Sequence, residues 1–550
     1  MGIYRLMRKA RKNHSLEMTV MNENWAFVEE SLKQFPEYQA AVFEQGFLVT
    51  NQALSFGTAF PYFGNWRETS RNGVYFYLRD NQKLFLHEAE GRLYFLIGHA
   101  YDPFAEIAEE EALLARYAQV SGGDWEAGLP CIDDLTGLFV MGYYASGRLR
   151  FWGDFESMRA VYYGVIDGHW YLASHEELVA LRETLTPDPY VARLERYRWY
   201  PLYGEGLPGD ISHYLELKKL ICNNYVSYEN GVFTVGRLYP RAPIHICAGE
   251  EEYRQVVAEI ARIMQKSLAL TAQKWPRVAV SVTGGRDSKG SLAASLPVKD
   301  KLQYFSYNSQ PAEQVDCDAA HRICEAVGVP HTVYEIPLDK AVYPEYDLVR
   351  AILCVNSNRK YFNHNDIMKR IYFRREKPFD VEVKSWTSEI GRAFCYVRYG
   401  VRHLPKKATG RRVNAINNIF LLNPKLMYET DKKYREYLEK TEYNEHMFNY
   451  DWTDLIILEM RDSRWGADVI SCEHMFSYDV TVPYNNRHLS DLLQMPPFEK
   501  RLASQTHIDF TNLLCPEIEK TNIAIRDAAH TKKRAVGEKL YYFISCVRPI

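Results

Sequence analysis

The stretch VAVSVTGGRDSKGSLAAS, from Val278, constrains the chain more than any other. A β-branched apolar run ends in two glycines, a polar turn follows, and an alanine/leucine run opens behind it. RVAVSV has the low polarity of a strand buried on both faces of a parallel sheet. SKGSLAASL reads as the helix that follows. The turn between them sits at the C-terminal end of a strand, where open α/β sheets take ligands. Gly284 and Gly285 let backbone N–H groups approach an anion, the helix start adds partial positive charge, and Thr283 and Ser288 add hydroxyls. Phosphate is the natural guest. The G-x-x-x-x-G-K-[ST] spacing of a Walker A loop is absent. Instead the loop carries a carboxylate, Asp287, which makes sense beside phosphates if it holds Mg²⁺. An ordinary Gly-Gly strand-to-helix turn would look the same from these residues alone.

The rest of the chain bounds the setting. Its 550 residues are enough for two or more domains, each with its own core. Hydrophobic residues make up 47% and charged residues 25%, a soluble globular profile. A net charge of −3 argues against a dedicated nucleic-acid binder. The basic N-terminus lacks an apolar core for a signal peptide, Leu6 stands where a myristoylation motif wants Ser or Thr, and no apolar run is long enough to span a bilayer. The ten cysteines are scattered with no C-x-x-C pair, which suits reduced thiols in a cytoplasmic protein.

Organisation changes near residue 240. From Gln45 to about Val235 the pattern is one of short strands. RNGVYFYLRDNQKLFLHEAEGRLYFLIG alternates apolar and polar residues, with turns at Asp80-Asn81 and Glu90-Gly91. Ser146-Gly147 and Asp167-Gly168 read as hairpin turns. One helical stretch interrupts them and stops at Gly122-Gly123. Beyond the boundary a helix is expected from Glu251 to about Gln273. Strands and helices then alternate through KLQYFSYN, CDAAHRICEAVG and HTVYEI, the rhythm of parallel β-α-β units. Past Tyr343 the pattern is mostly helical. The expected domains are 1–240 and 241–550.

T-G-G-R-D-S after an apolar strand resembles the S-G-G-x-D-S loop of the ATP pyrophosphatase superfamily, and the whole chain resembles asparagine synthetase. YFSYNSQPAEQVDCDAAHRICEAVGVPHTVYEI is similar to the next strand and helix of that domain. SYDVTVPYNNRHLSDLLQMPP is similar to its V-P-F-L-D-x-R-L-V segment. DLTGLFVMGYYASGRLRFWGDFESMRAVYYGVIDGHWYLASHEELVALR resembles the end of its glutaminase domain. These landmarks occur in the family's order over roughly residues 70 to 550. The resemblance implies a degenerate N-terminal-nucleophile α-β-β-α sandwich, followed by an adenine-nucleotide α-hydrolase-like parallel-sheet synthetase domain. It implies ATP and Mg²⁺, with Ser281, Thr283, Gly284, Gly285, Arg286, Asp287 and Ser288 at the nucleotide and Asp287 as metal ligand.

The chain departs from the family in two places. The family's glutaminase uses a Cys at position 2. Here position 2 is Gly, and the first cysteine is Cys131. The first domain is therefore expected to lack glutamine hydrolysis, as in β-lactam synthetases and lasso-peptide cyclases. WTSEIGRAFCY matches the family's S-G-E-G-A-D-E-L-F segment. Glu389 keeps the glutamate, but Arg392 stands where the family has a metal-binding Asp. Arg suits bidentate contact with phosphate. A surface pair between Glu389 and Arg392 is the plainer alternative. Arg461 and Arg464, three apart on a helical pattern, share a face and could meet a substrate carboxylate, or simply be solvated. Lys532 and Lys533 stand where the family places a C-terminal Lys, and the sequence does not choose between them.

The expected activity is amide bond formation with an adenylated carboxylate, joining small-molecule or peptide carboxylate and amine substrates. Glu389, Arg392, Lys532 and Lys533 are the expected catalytic residues. No nucleic-acid or membrane partner is expected, and homo-oligomerisation is left open. The rival readings are an ammonia-dependent asparagine synthetase, a nucleotide-binding pseudoenzyme and a sulfur-transferring or tRNA-modifying pyrophosphatase. The last would want a reactive cysteine pair and a basic module, and neither is visible.

Overall fold

The computed structural model describes residues 17–54, 65–198, 200, 206–359, 362–418, 421–523 and 532–547. The alternating stretches of the first half fold into β1 (Phe47–Thr50), β2 (Trp66–Arg71), β3 (Val74–Arg79), β4 (Leu84–Ala89) and β5 (Arg92–Tyr101), followed by β6 (Thr136–Ala145) and β7 (Arg148–Gly153). The series continues with β8 (Tyr162–Ile166), β9 (His169–Ala173), β10 (Leu217–Lys219), β11 (Asn224–Glu229) and β12 (Val232–Arg237). Two antiparallel sheets result, in the orders β10-β8-β9-β1-β3-β2 and β12-β11-β7-β6-β5-β4. At Ser146-Gly147 both residues have positive φ (49° and 80°), as do Asp167-Gly168 (49° and 82°). That is the twist a two-residue hairpin between β6 and β7, or β8 and β9, requires. The Asp80-Asn81 turn instead carries the chain from one sheet to the other, since β3 and β4 do not pair.

Period-two geometry decides which residue meets which layer. On β5, Leu93, Phe95 and Ile97 face the other sheet's Phe47, Phe76 and Leu172 and fill the sandwich. Their neighbours Tyr94 and Leu96 face outward against Leu113, Leu114 and Tyr117 of the helix Glu110–Ser121. On the opposite side, Leu48, Tyr77 and Ala173 join a large core. It also contains Val28 and Leu32 of the helix Glu17–Gln34, and Val349 and Ile352 of the helix Tyr346–Ser357. The layers are therefore helix, sheet, sheet, helix, and the last helical layer packs directly onto the second half.

That half begins with the helix Glu250–Lys274, within one residue of the expected span. Its sheet is parallel, in the order β15-β14-β13-β16-β17, made of β13 (Val278–Ser281), β14 (Leu302–Asn308), β15 (Thr332–Glu335), β16 (Val381–Val383) and β17 (Asp479–Thr481). The strand under the glycine loop, β13, is central, which is why Val278, Ala279 and Val280 are all buried. The strands β16 and β17 sit inside the tail that reads as helical. Three residues buried on both faces carry no alternation to read.

Candidate active site

The sequence builds the site at the C-terminal end of β13. Gly285, in extended conformation, precedes the helix Arg286–Ser295. The Ser288 hydroxyl turns back, accepting from Thr283 N–H at 2.8 Å and donating to the Ser281 carbonyl at 3.4 Å. Thr283 Oγ1 accepts from Gly285 N–H at 3.2 Å, and Gly284 N–H reaches Asp316 Oδ1 at 3.4 Å. A Cβ added at Gly285 would stand 3.2 Å from Thr283 Oγ1. The loop is thus a short arch whose donors are held by its own hydroxyls and by Asp316. Arg286 points away from it, bonding Glu519 at 2.6 Å. Lys289 is buried beneath, donating to the Ile523 carbonyl at 2.5 Å.

Asp287 faces a second segment, the short helical turn Ser388–Arg392 beyond β16. Its Oδ1 accepts from the Ser388 hydroxyl, and its Oδ2 from Arg392 Nη2 at 3.1 Å. Ser388 Oγ in turn lies 2.9 Å from Nε2 of the buried His507. Tyr484 donates to the Asp287 carbonyl at 3.1 Å. Burial pushes the Asp287 carboxyl up, and Arg392 offsets this only in part. Glu389 does not pair with Arg392; it accepts from Arg461 Nη2 at 3.3 Å. Burial pushes Glu389 up too, but the cations of Arg461 and then Arg392 outweigh it and hold the carboxyl below its usual range.

Arg461 and Arg464 do not share a target. Residues Leu458–Gly466 form a π-helix, whose wider turn separates positions three apart. Arg461 serves Glu389 and Asp462, at 3.3 and 2.8 Å, whereas Arg464 donates to the Ile211 carbonyl at 2.9 Å. Lys532 and Lys533 open the helix Lys532–Val547, and their side chains lie outside the described residues, as does Gly2.

The expectation that Asp287 holds Mg²⁺ meets a different arrangement. Both its oxygens are bonded to protein donors, one of them a guanidinium, and Glu389 is itself paired. Among the described residues no three His, Cys, Asp or Glu side chains are grouped to hold a metal. This donor set suits a carboxylate–guanidinium pair and does not fit a divalent cation.

Sequence reasoning missed Ser388, His507 and Tyr484. Ser388 is adjacent to Glu389 and could have been found from it. His507 and Tyr484 carry no local signal, because only the fold brings them to Asp287.

The segment Tyr484–Arg487 also ties the loop to the antiparallel half. Asn485 Nδ2 donates to the Gly137 carbonyl at 2.8 Å and to Asp154 Oδ1 at 2.9 Å. Asn486 Nδ2 donates to the Asp134 carbonyl at 2.8 Å, and Arg487 to the Gly153 carbonyl at 3.0 Å.

No family model matches the chain, and no curated protein matches it. Similar solved structures include a glutamine phosphoribosylpyrophosphate amidotransferase from B. subtilis complexed with ADP and GMP. It is 10% identical, with 54% of this chain and 61% of that chain covered and a TM-score of 0.23. Another is an allosteric regulatory enzyme of purine biosynthesis, 8% identical over 60% of this chain and 90% of that one, with a TM-score of 0.25. A third is a glutamine-dependent NAD⁺ synthetase from Acinetobacter baumannii in complex with ADP. It is 11% identical over 38% of this chain and 44% of that one, with a TM-score of 0.20. Scores this low carry no inference about chemistry. No helix among the described residues is long and apolar enough to cross a membrane.

Proposed function

We propose that the chain is an ATP-dependent amide-bond-forming synthetase. The observation that carries this reading is the Thr283–Ser288 arch, set at the C-terminal end of the central parallel strand and opening a helix. In the proposed reaction a carboxylate oxygen attacks the α-phosphorus of ATP. The bond from that phosphorus to the bridging oxygen breaks, and pyrophosphate leaves. An amine nitrogen then attacks the acyl carbon, the bond to AMP breaks, and the nitrogen gives up one proton.

Each step has a residue suited to it. To receive the pyrophosphate, the N–H groups of Thr283, Gly284 and Gly285 exchange their bonds to Ser288, Asp316 and Thr283 for phosphate oxygens, and the freed hydroxyls of Thr283 and Ser288 turn to the same oxygens. Asp287 holds Arg392 at the mouth of the arch, where its fork can pass to phosphate oxygens as their charge develops. Glu389, ionised and a quarter exposed, is placed to accept the amine's proton. Ser281 lies below the arch and bonds the Val383 carbonyl at 3.3 Å, so its part is to join β13 to β16.

Two other readings compete. In a nucleotide-binding pseudoenzyme the Arg392–Asp287 pair would be permanent, and ATP would bind without pyrophosphate release. In an ammonia-dependent asparagine synthetase, aspartate would be the carboxylate and ammonia the amine. Exchange of labelled pyrophosphate into ATP, measured with the full chain against a panel of carboxylates that includes aspartate, separates the three. Exchange with at least one carboxylate is expected. Exchange with none of them, despite ATP binding, would favour the pseudoenzyme, and asparagine release from aspartate and ammonia would favour the synthetase.

A further inference from the structure

Glu156 is a buried group that the reaction above leaves unused. It lies just past β7 and is 0% exposed. Its backbone is pinned, with the N–H shared between Asp154 Oδ1 at 3.2 Å and Asn485 Oδ1 at 2.9 Å. The Asp154 carboxylate also takes the N–H groups of Met158 at 2.9 Å and Arg159 at 3.1 Å, so the whole turn is fixed. Yet neither carboxylate oxygen of Glu156 has a hydrogen-bond partner among the described residues. The hydroxyl beside it, on Thr387, donates to the Trp386 carbonyl at 2.5 Å. The charged groups that act on Glu156 most are also acidic, with Asp462 foremost, then Asp154 and Glu389. Burial first, and the Asp462 charge next, push the Glu156 carboxyl well above its usual range.

Buried polar groups are almost always bonded, and a carboxylate without a donor is among the costliest things a fold can bury. A ligand that supplies donors removes that cost. The surroundings say what charge it carries. Asp462, 4% exposed, and Glu389 share the single guanidinium of Arg461, while Arg392 is matched by Asp287. Three carboxyl groups from three parts of the fold therefore share one cation, and a second cation would let Glu156 ionise. The cluster is open at one end, where Glu389 and Arg461 are 25% and 28% exposed. Among the described residues no three acids group as metal ligands do. An ammonium carries three N–H donors aimed in different directions, and each can bond a different carboxylate oxygen.

We propose that Glu156, with Asp462 and Glu389, forms the pocket for the protonated amine of the acceptor substrate. This rests on the amide-forming reading above and deepens it: the acceptor is bound as a cationic amine, which gives up one proton to a pocket carboxylate before it attacks and a second as the amide forms, and the antiparallel half supplies one of its binding residues.

The test is calorimetric titration of n-butylammonium chloride into the full chain without ATP. The references are n-butanol, sodium chloride at equal ionic strength, and magnesium chloride. Saturable binding of the ammonium alone is expected. Glu156→Gln should weaken it by about tenfold or more, since a bond to a charged partner is lost. Asp462→Asn, a second variant in case the first does not fold, should weaken it likewise. Absence of ammonium binding to the wild type, binding of magnesium in its place, or unchanged affinity in folded variants would overturn the proposal. Pyrophosphate exchange reads the other claim separately. Exchange without ammonium binding sinks only the amine pocket, and ammonium binding without exchange sinks only the activation reading.

Discussion

Arg392 Nη2 stands 3.1 Å from Asp287 Oδ2, and this pair ties the helix that follows the glycine arch to the turn Ser388–Arg392. It joins two segments 105 residues apart in sequence. Arg392 is partly buried: the charge of Asp287 and then that of Glu389 outweigh the burial that would otherwise lower its pKa. The guanidinium is therefore a fixed positive charge beside the loop at any working pH.

If that charge serves the reaction, Arg392→Ala should lower pyrophosphate exchange by on the order of 10²–10³. Arg392→Lys should recover only part of the loss, because Lys lacks the bidentate fork. Exchange assays on the two variants check this. An unchanged rate in Arg392→Ala would reduce the pair to a structural tie.

Glutamine should not be hydrolysed. Cys131 and Cys222, the cysteines of the antiparallel half, are both buried, and burial pushes both thiols up. A nucleophilic cysteine needs the opposite environment. Incubation with glutamine and ATP should yield no glutamate above a protein-free control.

The antiparallel half is locked to the helical layer by Arg237 and Glu459. They are bonded at 3.1 Å between Nη1 and Oε2, and Glu459 also accepts from Tyr437 at 2.6 Å and Asn223 at 3.1 Å. All of this is buried. Arg237→Ala leaves Glu459 charged and short of its main partner, at a cost of about 3–5 kcal/mol. Denaturant unfolding should show that loss. A change under about 1 kcal/mol would mean that water or a neighbour replaces the guanidinium.

Much of the fold was legible because its signals are local. The Ser146-Gly147 and Asp167-Gly168 turns, the helix Glu250–Lys274 and the β13–loop–helix junction each follow from residues adjacent in sequence. The strands β16 and β17 were not legible, being too short to show a period. In the site, Asp287 and Glu389 stood out by position. Their partners did not: Ser388 meets Asp287 across 101 residues, and Tyr484 across 197. Glu156 appears in sequence as one more acid after Asp154, and nothing local says that it will be buried without a donor. The pairing of Arg461 and Arg464 failed because the reading took an α-helical turn where the chain makes a wider one.

Glu473 should take stability away as pH rises from about 4.5 to about 7. Burial pushes the Glu473 carboxyl up from 4.5 to about 7, with Arg359 at 2.6 Å only partly opposing it. Across that window the folded chain keeps a proton that the unfolded chain has released, so folding loses up to about 3 kcal/mol from this group. Glu473→Gln should flatten the slope and raise the melting temperature at pH 8. Melting curves at pH 5 and pH 8 that shift alike in both proteins would assign the effect elsewhere.

The central claim, that the Thr283–Ser288 arch receives the phosphates of ATP, is tested most directly by titrating ATP into the wild type and Gly285→Val. The added side chain starts 3.2 Å from Thr283 Oγ1, the atom that accepts from Gly285 N–H, and so disturbs the bond that shapes the arch. Saturable binding to the wild type, weakened at least about tenfold in a variant with an unchanged circular dichroism spectrum, is the predicted result. Equal affinity in the two proteins, or no binding to the wild type, would contradict it.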